Sequence, residues 1–438
     1  MSVMEISRRN FIQGAAALPA FAARPLAAND RIRFGIIGAG ARSHQIMEAM
    51  KLVPGIEFAA VVDAYKGRVE RAVARTEGKA KPYRDYREIL ADKSIDAVVI
   101  ATPDHWHKQM VVEAVRAGKD VYCEKPLTYR TSDGPEIIRA AKETGRMVQV
   151  GSQGMSSPLE TRARDIIRSG RLGKITLIRA SFNRNTPSGA WIYPIPPDCS
   201  PETVNWDMFL GSAPKRPFSP ERFFRWRCYF DYSGGISTDL FVHLCTTIHY
   251  VMDAKVASRA VALSQLYRWK ETRDVPDTIN GVLEYPEGFA VSLSGTFNNE
   301  TGSESGFQIL GTEGTLNLGG TLAFRPEHVH DDNGWIVDSW AEPLAKAYYK
   351  NPKVIAEERP DMGAPKVEAT GEFYREIGPE STVAHMGHFV ESIRTRKPYW
   401  EDASAGHHAA ACAHMVNMAA RTGRVVEWDF NQDDVKAS

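Results

Sequence analysis

The chain has no excess of either charge, no paired cysteines and no apolar run long enough to span a bilayer, and each lack excludes a class of protein. Fifty-four Lys and Arg balance fifty-four Asp and Glu, so nothing favours nucleic acid or an anionic membrane surface as partner, and a neutral small molecule fits better. Cys123, Cys199, Cys228, Cys245 and Cys412 are scattered without a C-x-x-C pair, which indicates neither a zinc site nor a disulfide framework. The apolar stretch from Gly14 to Ala23 is interrupted by Pro19 and followed by Arg24 and Pro25, short of the roughly 20 residues that a membrane-spanning helix needs. What the chain does have is material. Its 438 residues, 43% hydrophobic and 25% charged, exceed what one core usually serves, so two domains are expected.

The N-terminus differs in kind from the rest. Ser7-Arg8-Arg9-Asn10-Phe11-Ile12 precedes the alanine-rich run, and Ala20-Phe21-Ala22 offers small residues for cleavage. This pattern resembles a twin-arginine export signal over residues 1–29 and predicts a periplasmic or otherwise exported mature protein.

From Arg31 the sequence reads strand, glycine turn, helix: Ile32, Phe34, Ile36 and Ile37, then Gly38-Ala39-Gly40-Ala41-Arg42-Ser43, then a helical stretch. A tight turn at Gly38 and a bare backbone at Gly40 let a diphosphate approach the amides of Ala41 and Arg42 at a helix N-terminus. Ser43 departs from the Gly or Ala that completes the pattern. A second apolar run, Phe58 to Val62, ends in Asp63, close to the spacing expected of the carboxylate that binds adenosine ribose hydroxyls, which favours NAD; Lys66 and Arg68 nearby keep NADP open. The buried-type strand Ala97–Ala101 runs into Thr102-Pro103-Asp104-His105-Trp106-His107, a loop at a strand's carboxyl end, where ligands bind in open α/β sheets. Thr102, Pro103 and His107 are therefore candidate cofactor contacts. The strand Asp120–Cys123 then leads into Glu124-Lys125-Pro126, and a helix and strand to Val150 complete a doubly wound parallel sheet over residues 30–150.

Beyond residue 150 the periodicity changes. A helix around Thr161–Ser169 and a strand Ile175–Asn183 precede a long stretch, 184–232, rich in Pro, Trp, Arg and Tyr. Loops of this length are functional or disordered, and the aromatics argue for order. Each tryptophan there is read first as an anchor of the loop and second as a platform for a sugar ring. Gly234-Gly235 then open the segment carrying Asp239 and His243, four residues apart, which on a helix puts both side chains on one face. Short runs from Ser258 to Leu318, separated by Gly-containing turns, read as an antiparallel sheet. Residues 325–380 read as an irregular insertion, and two helices close a second, α+β domain over 151–438. His407, His408 and His414 lack an acidic or Cys partner at ligand spacing, so no metal site is expected.

Gly38-Ala39-Gly40, Asp63, the 102–107 loop and Glu124-Lys125-Pro126 together resemble the Gfo/Idh/MocA family of oxidoreductases (glucose-fructose oxidoreductase, inositol dehydrogenase). The resemblance implies that Lys125 lies beside the nicotinamide and contacts the substrate hydroxyl, that Glu124 lies near the nicotinamide ribose, and that Asp239 and His243 form the second catalytic element. Many members place another Asp three residues after the histidine; here Thr246 stands there. An open sheet that pairs with another subunit, hence a homo-oligomer, is implied in the same way. The activity so implied is NAD(P)-dependent oxidation of a secondary hydroxyl on a sugar, cyclitol or glycoside, with His243 as general base because histidine titrates near neutrality. An exported enzyme has no obvious pool of free nicotinamide, so a tightly bound NAD is expected. That leaves open glycoside hydrolysis through transient oxidation, elimination and re-reduction, or an aldose–ketose dismutation.

Overall fold

The computed structural model describes residues 31–301, 307–327, 333–358 and 371–436; the export motif lies outside the described residues. The first sheet is built from β1 (Ile32–Ile37), β2 (Ile56–Val62), β3 (Lys81–Pro82), β4 (Ala97–Ile100), β5 (Asp120–Glu124) and β6 (Val148–Gly151), all parallel, in the order 3-2-1-4-5-6. Both β4 and β5 are buried at every position, as strands covered by helices on both faces must be. The order reverses between β1 and β4, which opens a crevice at the carboxyl ends of those strands. One face is closed by a helix from near the chain's end, Ser381–Thr395, whose Phe389 packs on Phe34 and Tyr122 at ring-centroid distances of 6.1 and 5.7 Å. The first core therefore draws on residues far beyond 150.

The second sheet has ten strands: β7 (Ile175–Asn183), β8 (Arg259–Gln265), β9 (Thr278–Glu284), β10 (Ala290–Thr296), β11 (Phe307–Gly311), β12 (Gly314–Leu318), β13 (Thr321–Pro326), β14 (Glu372–Arg375), β15 (Val426–Asp429) and β16 (Asp434–Val435), in the order 14-13-12-11-7-10-9-8-15-16. It is mixed rather than purely antiparallel, because β7 and β10 pair in parallel at its centre. Parallel neighbours need a long crossover, and the arm after β7 supplies one. Burial alternates along β9 and β10. The inner face packs under the helices Pro158–Arg168 and Ala403–Thr422, and the outer face exposes Val261, Leu263 and Val282. Within 325–380 the expected irregular insertion instead holds three short helices, Gly334–Val337, Glu342–Tyr348 and Pro352–Glu358, and β14 at the sheet edge. Among the described residues no helix is long and apolar enough to cross a membrane.

Candidate active site

The crevice of the first sheet and the inner side of the second domain enclose one cavity of about 550 Å³. Gly38, Gly40, Ala41, Arg42, Asp63, Thr102, Pro103, Glu124, Lys125, Asp239 and His243 all line it. Of the residues singled out by sequence, His107 alone does not. It is fully buried, with Nδ1 at 2.6 Å from the Pro126 carbonyl oxygen and Nε2 at 3.0 Å from that of Thr102. Instead of contacting a cofactor, it ties the loop after β4 to the loop after β5.

The residues at the mouth of β1 fit a dinucleotide. At Gly38, φ is +84°, and a Cβ there would lie 2.7 Å from the Ala101 carbonyl oxygen, so only glycine brings these strands so close. Helix Ala41–Met50 begins at Gly40 with no side-chain cap, leaving its first amides free for an anion. Asp63 is nearly buried, and its carboxylate accepts from the amides of Ala39 (2.7 Å) and Tyr65 (2.8 Å), which fixes it at the end of β2 facing the cavity. Arg68 Nη1 lies 3.8 Å from the same carboxylate, and its guanidinium sits over the rings of Phe223 and Phe224.

Those two phenylalanines belong to the proline-rich arm, which is ordered and clasped to the first domain beside Asp63. The Tyr65 hydroxyl donates to Asp198 at 2.6 Å, the Lys66 amide donates to the Thr203 carbonyl at 3.0 Å, and the Asn205 amide donates to the Ala64 carbonyl at 2.7 Å. Trp206 stacks on Phe209 and donates its indole N–H to the Arg216 carbonyl, an anchor, whereas Trp191, Tyr193 and Trp226 reach the cavity wall.

At the cavity's centre, Lys125 Nζ donates to the Asp239 carboxylate (3.0 Å) and to the Asp239 carbonyl (2.7 Å), and Arg227 Nε donates to the same carboxylate oxygen at 2.9 Å. Burial opposes ionisation of Asp239, but Lys125 and Arg227 overcome it and hold the carboxyl well below its ordinary range. Asp104 lies nearby, fully buried; burial, and then the Asp239 charge, push it up to about 7. Glu124 accepts from Arg42 (3.0 Å) and Gln153 (2.9 Å), which fixes its carboxylate beside Lys125.

Asp239 and His243 do not share a regular α-helix. Ser237–Phe241 is a π-helical turn that leads into the α-helix Val242–Met252, an irregularity frequent at functional sites. Both side chains still face Lys125. His243 does not titrate near neutrality as expected from its type: burial, and then the Lys125 ammonium, lower it to about 3. The imidazole is thus held toward its neutral form, and Lys125 donates both of its bonds to Asp239. Arg227, Asp104 and Gln153 were not singled out by sequence. Asp104 sits inside the 102–107 loop, but nothing in the spacing of Arg227 marks it. The His407–His408 pair, expected to lack an acidic partner, meets Asp433 at 3.7 and 2.8 Å because the chain's end folds back over the last helix.

A family model described as "Oxidoreductase family, NAD-binding Rossmann fold" matches residues 32–152, and one described as "GFO/IDH/MocA C-terminal domain" matches residues 208–317. The chain is 27% identical over 303 residues to scyllo-inositol 2-dehydrogenase (NAD(+)) of Bacillus subtilis, covering 68% of this chain and 76% of that protein. It is 26% identical over 287 residues to 1,5-anhydro-D-fructose reductase of Ensifer adhaerens, covering 65% and 74%. Among solved structures, levoglucosan dehydrogenase in complex with NADH and levoglucosan superposes with a TM-score of 0.65 at 19% identity, over 91% of this chain and 99% of that one. The aldose-aldose oxidoreductase of Caulobacter crescentus gives 0.64 at 18% over the same shares. At these identities the superpositions speak for the fold.

Proposed function

The chain belongs to the Gfo/Idh/MocA family of NAD-dependent oxidoreductases, and on that premise we propose that it oxidises a secondary hydroxyl of a sugar, cyclitol or glycoside. The observation that carries the reading is the meeting of Lys125, Asp239 and His243 in the cavity that Gly38, Gly40 and Asp63 also line. NAD, when bound, supplies the hydride acceptor. Arg42 and the free amides at the start of its helix neutralise the diphosphate, Asp63 receives the ribose hydroxyls, and Glu124 and Thr102 border the nicotinamide end. Lys125 donates to the substrate oxygen and stabilises the charge that develops there, while Asp239, itself fixed by Arg227, holds the ammonium in place. His243, neutral and unable to compete as a cation, accepts the hydroxyl proton. The test is reduction of bound nicotinamide when cyclitols and sugars are added, in wild type and in the His243→Ala and Lys125→Ala variants.

A second reading is favoured by the clasp between the arm and the residues after Asp63, which covers the adenosine end of the cavity. A cofactor held there is retained between turnovers; its reoxidation by the bound keto intermediate, after loss of the leaving group and addition of water, gives net glycoside hydrolysis, and its reoxidation by a second, carbonyl-bearing substrate gives dismutation. Cleavage of chromogenic glycosides without added cofactor supports this reading; turnover only with added NAD opposes it. We further infer export by the twin-arginine route from Arg8 and Arg9, to be checked by whether replacing both with Lys blocks export. Homo-oligomers through the open sheet face carrying Val261, Leu263 and Val282 are inferred from its exposed apolar surface and checked by light scattering.

A further inference from the structure

His243 faces two cavities. One is the cleft just described; the other, of about 270 Å³, lies on its far side and is lined by Ser152, Glu160, Thr247, Phe182 and Phe307. Glu160, on the helix Pro158–Arg168, is the one carboxyl of that lining. It is 9% exposed; its Oε1 accepts the Thr247 hydroxyl at 3.2 Å, and its Oε2 has no hydrogen-bond partner among the described residues. Thr247 stands one turn after His243 on the same helix, so the two side chains emerge toward the same side.

The charges around the two groups differ in sign. Lys125, Arg42 and Arg184 act on His243 from the cleft side and outweigh the opposing Asp239 charge, so a proton arriving on the imidazole is repelled there. Around Glu160 the other charged group that acts is Glu376, and Arg164, one turn along the same helix, is paired with Asp253. Burial, reinforced by Glu376 and opposed by the Thr247 hydrogen bond, pushes the Glu160 carboxyl up to about 8. The cavity is large enough for several water molecules, and its hydroxyls and carboxyl supply the polar partners that water requires.

We propose that Glu160 is the positioning residue that takes the substrate proton away from His243 through this second cavity. The inference rests on His243 being the proton acceptor. In the oxidation the substrate C–H bond gives its hydrogen and two electrons to the nicotinamide as hydride, and the O–H bond gives its proton to His243, leaving the carbonyl product. His243 passes that proton across the cavity. A protonated carboxyl relays it without changing charge, because its carbonyl oxygen accepts one proton as its hydroxyl releases another toward solvent.

The test is Glu160→Gln, which keeps an acceptor for Thr247 and cannot relay. Reduction of bound nicotinamide is followed across pH in H2O and D2O, using whichever of scyllo-inositol, levoglucosan and glucose reacts fastest with the wild-type holoenzyme. The expected result is a kcat lower by about tenfold or more, KM within about twofold, loss of the limb near pH 8 and a larger solvent isotope effect. A wild-type kcat and pH profile in Glu160→Gln, with His243→Ala inactive, overturns the relay alone. Activity in His243→Ala overturns the base assignment and the relay with it. An ionised Glu160 at neutral pH, read by infrared spectroscopy of the wild-type holoenzyme, overturns the proposal independently of the variant's folding.

Discussion

Lys125, at the end of β5, and Asp239, in the π-turn of the second domain, are locked across the interdomain cleft by two hydrogen bonds from one ammonium, to the carboxylate at 3.0 Å and to the backbone carbonyl at 2.7 Å. On the proposed mechanism, the donor to the reacting oxygen is thus oriented by the domain that carries His243. Lys125→Ala removes the charge that faces the developing alkoxide and is expected to lower kcat by about 10²–10³-fold. Asp239→Asn keeps an acceptor for Lys125 but leaves Lys125 and Arg227 without a counter-charge, so a smaller loss is expected. Steady-state kinetics on both variants checks the order.

The clasp makes a separate prediction about the cofactor. Tyr65→Phe deletes the hydrogen bond to Asp198, a charge-assisted contact worth roughly 1.5–3 kcal/mol, and so loosens the arm that carries Phe223 and Phe224. NAD is expected to dissociate about tenfold faster or more, read by rapid gel filtration of the holoenzyme, with the chemical step of bound cofactor unchanged.

Cofactor choice rests on Asp63. Asp63→Asn keeps an acceptor for only one of the amides of Ala39 and Tyr65, which donate to different carboxylate oxygens, and removes the charge that repels a 2′-phosphate while Arg68 remains beside it. NAD affinity is expected to fall by about tenfold and NADP affinity to rise; titration of the apoenzyme by quenching of its tryptophan fluorescence measures both.

Glu160 also sets a stability dependence on pH. Its folded pKa of about 8 lies above the ordinary 4.5, so its contribution to stability is fully present below pH 4.5 and is lost as pH rises toward 8, because the unfolded chain ionises first. Glu160→Gln removes that loss. Its melting temperature is expected to exceed that of wild type at pH 7–8, by a free energy of about 5 kcal/mol at most, with the gain vanishing near pH 4.5. The buried histidines act with the opposite sign: His105, His385 and His414 are each lowered by burial to about 4. They oppose folding as pH falls from 6.5, so both variants lose stability in acid.

How much of this was legible in the sequence follows from how local each signal is. Parallel strands buried on both faces read as unbroken apolar runs, and the turn at Gly38 and the carboxylate ending β2 lie within one βαβ unit, so the first sheet and most of the residues that line its crevice could be placed. The parallel pairing of β7 with β10 could not, because it is decided by a crossover more than a hundred residues long. The same holds for the clasp, whose Tyr65 and Asp198 are separated by 133 residues, and for Asp433 beside His408. β14 was hidden because a four-residue edge strand of alternating burial in a polar stretch carries too little apolar pattern. His107 shows the converse error: a residue in the right loop was assigned to the ligand when its ring instead holds two loops together. The titration of His243 departs from its residue type because burial and Lys125, both products of tertiary structure, determine it.

The central claim is that Lys125 and His243 act together on one substrate hydroxyl beside a bound NAD. The most direct measurement follows the near-ultraviolet absorbance of reduced nicotinamide in a single turnover of holoenzyme with a cyclitol or sugar substrate, comparing wild type with His243→Ala loaded with the same amount of NAD. The account predicts reduction in wild type and a rate lower by about 10²-fold or more in the variant. Reduction by His243→Ala at the wild-type rate would contradict it.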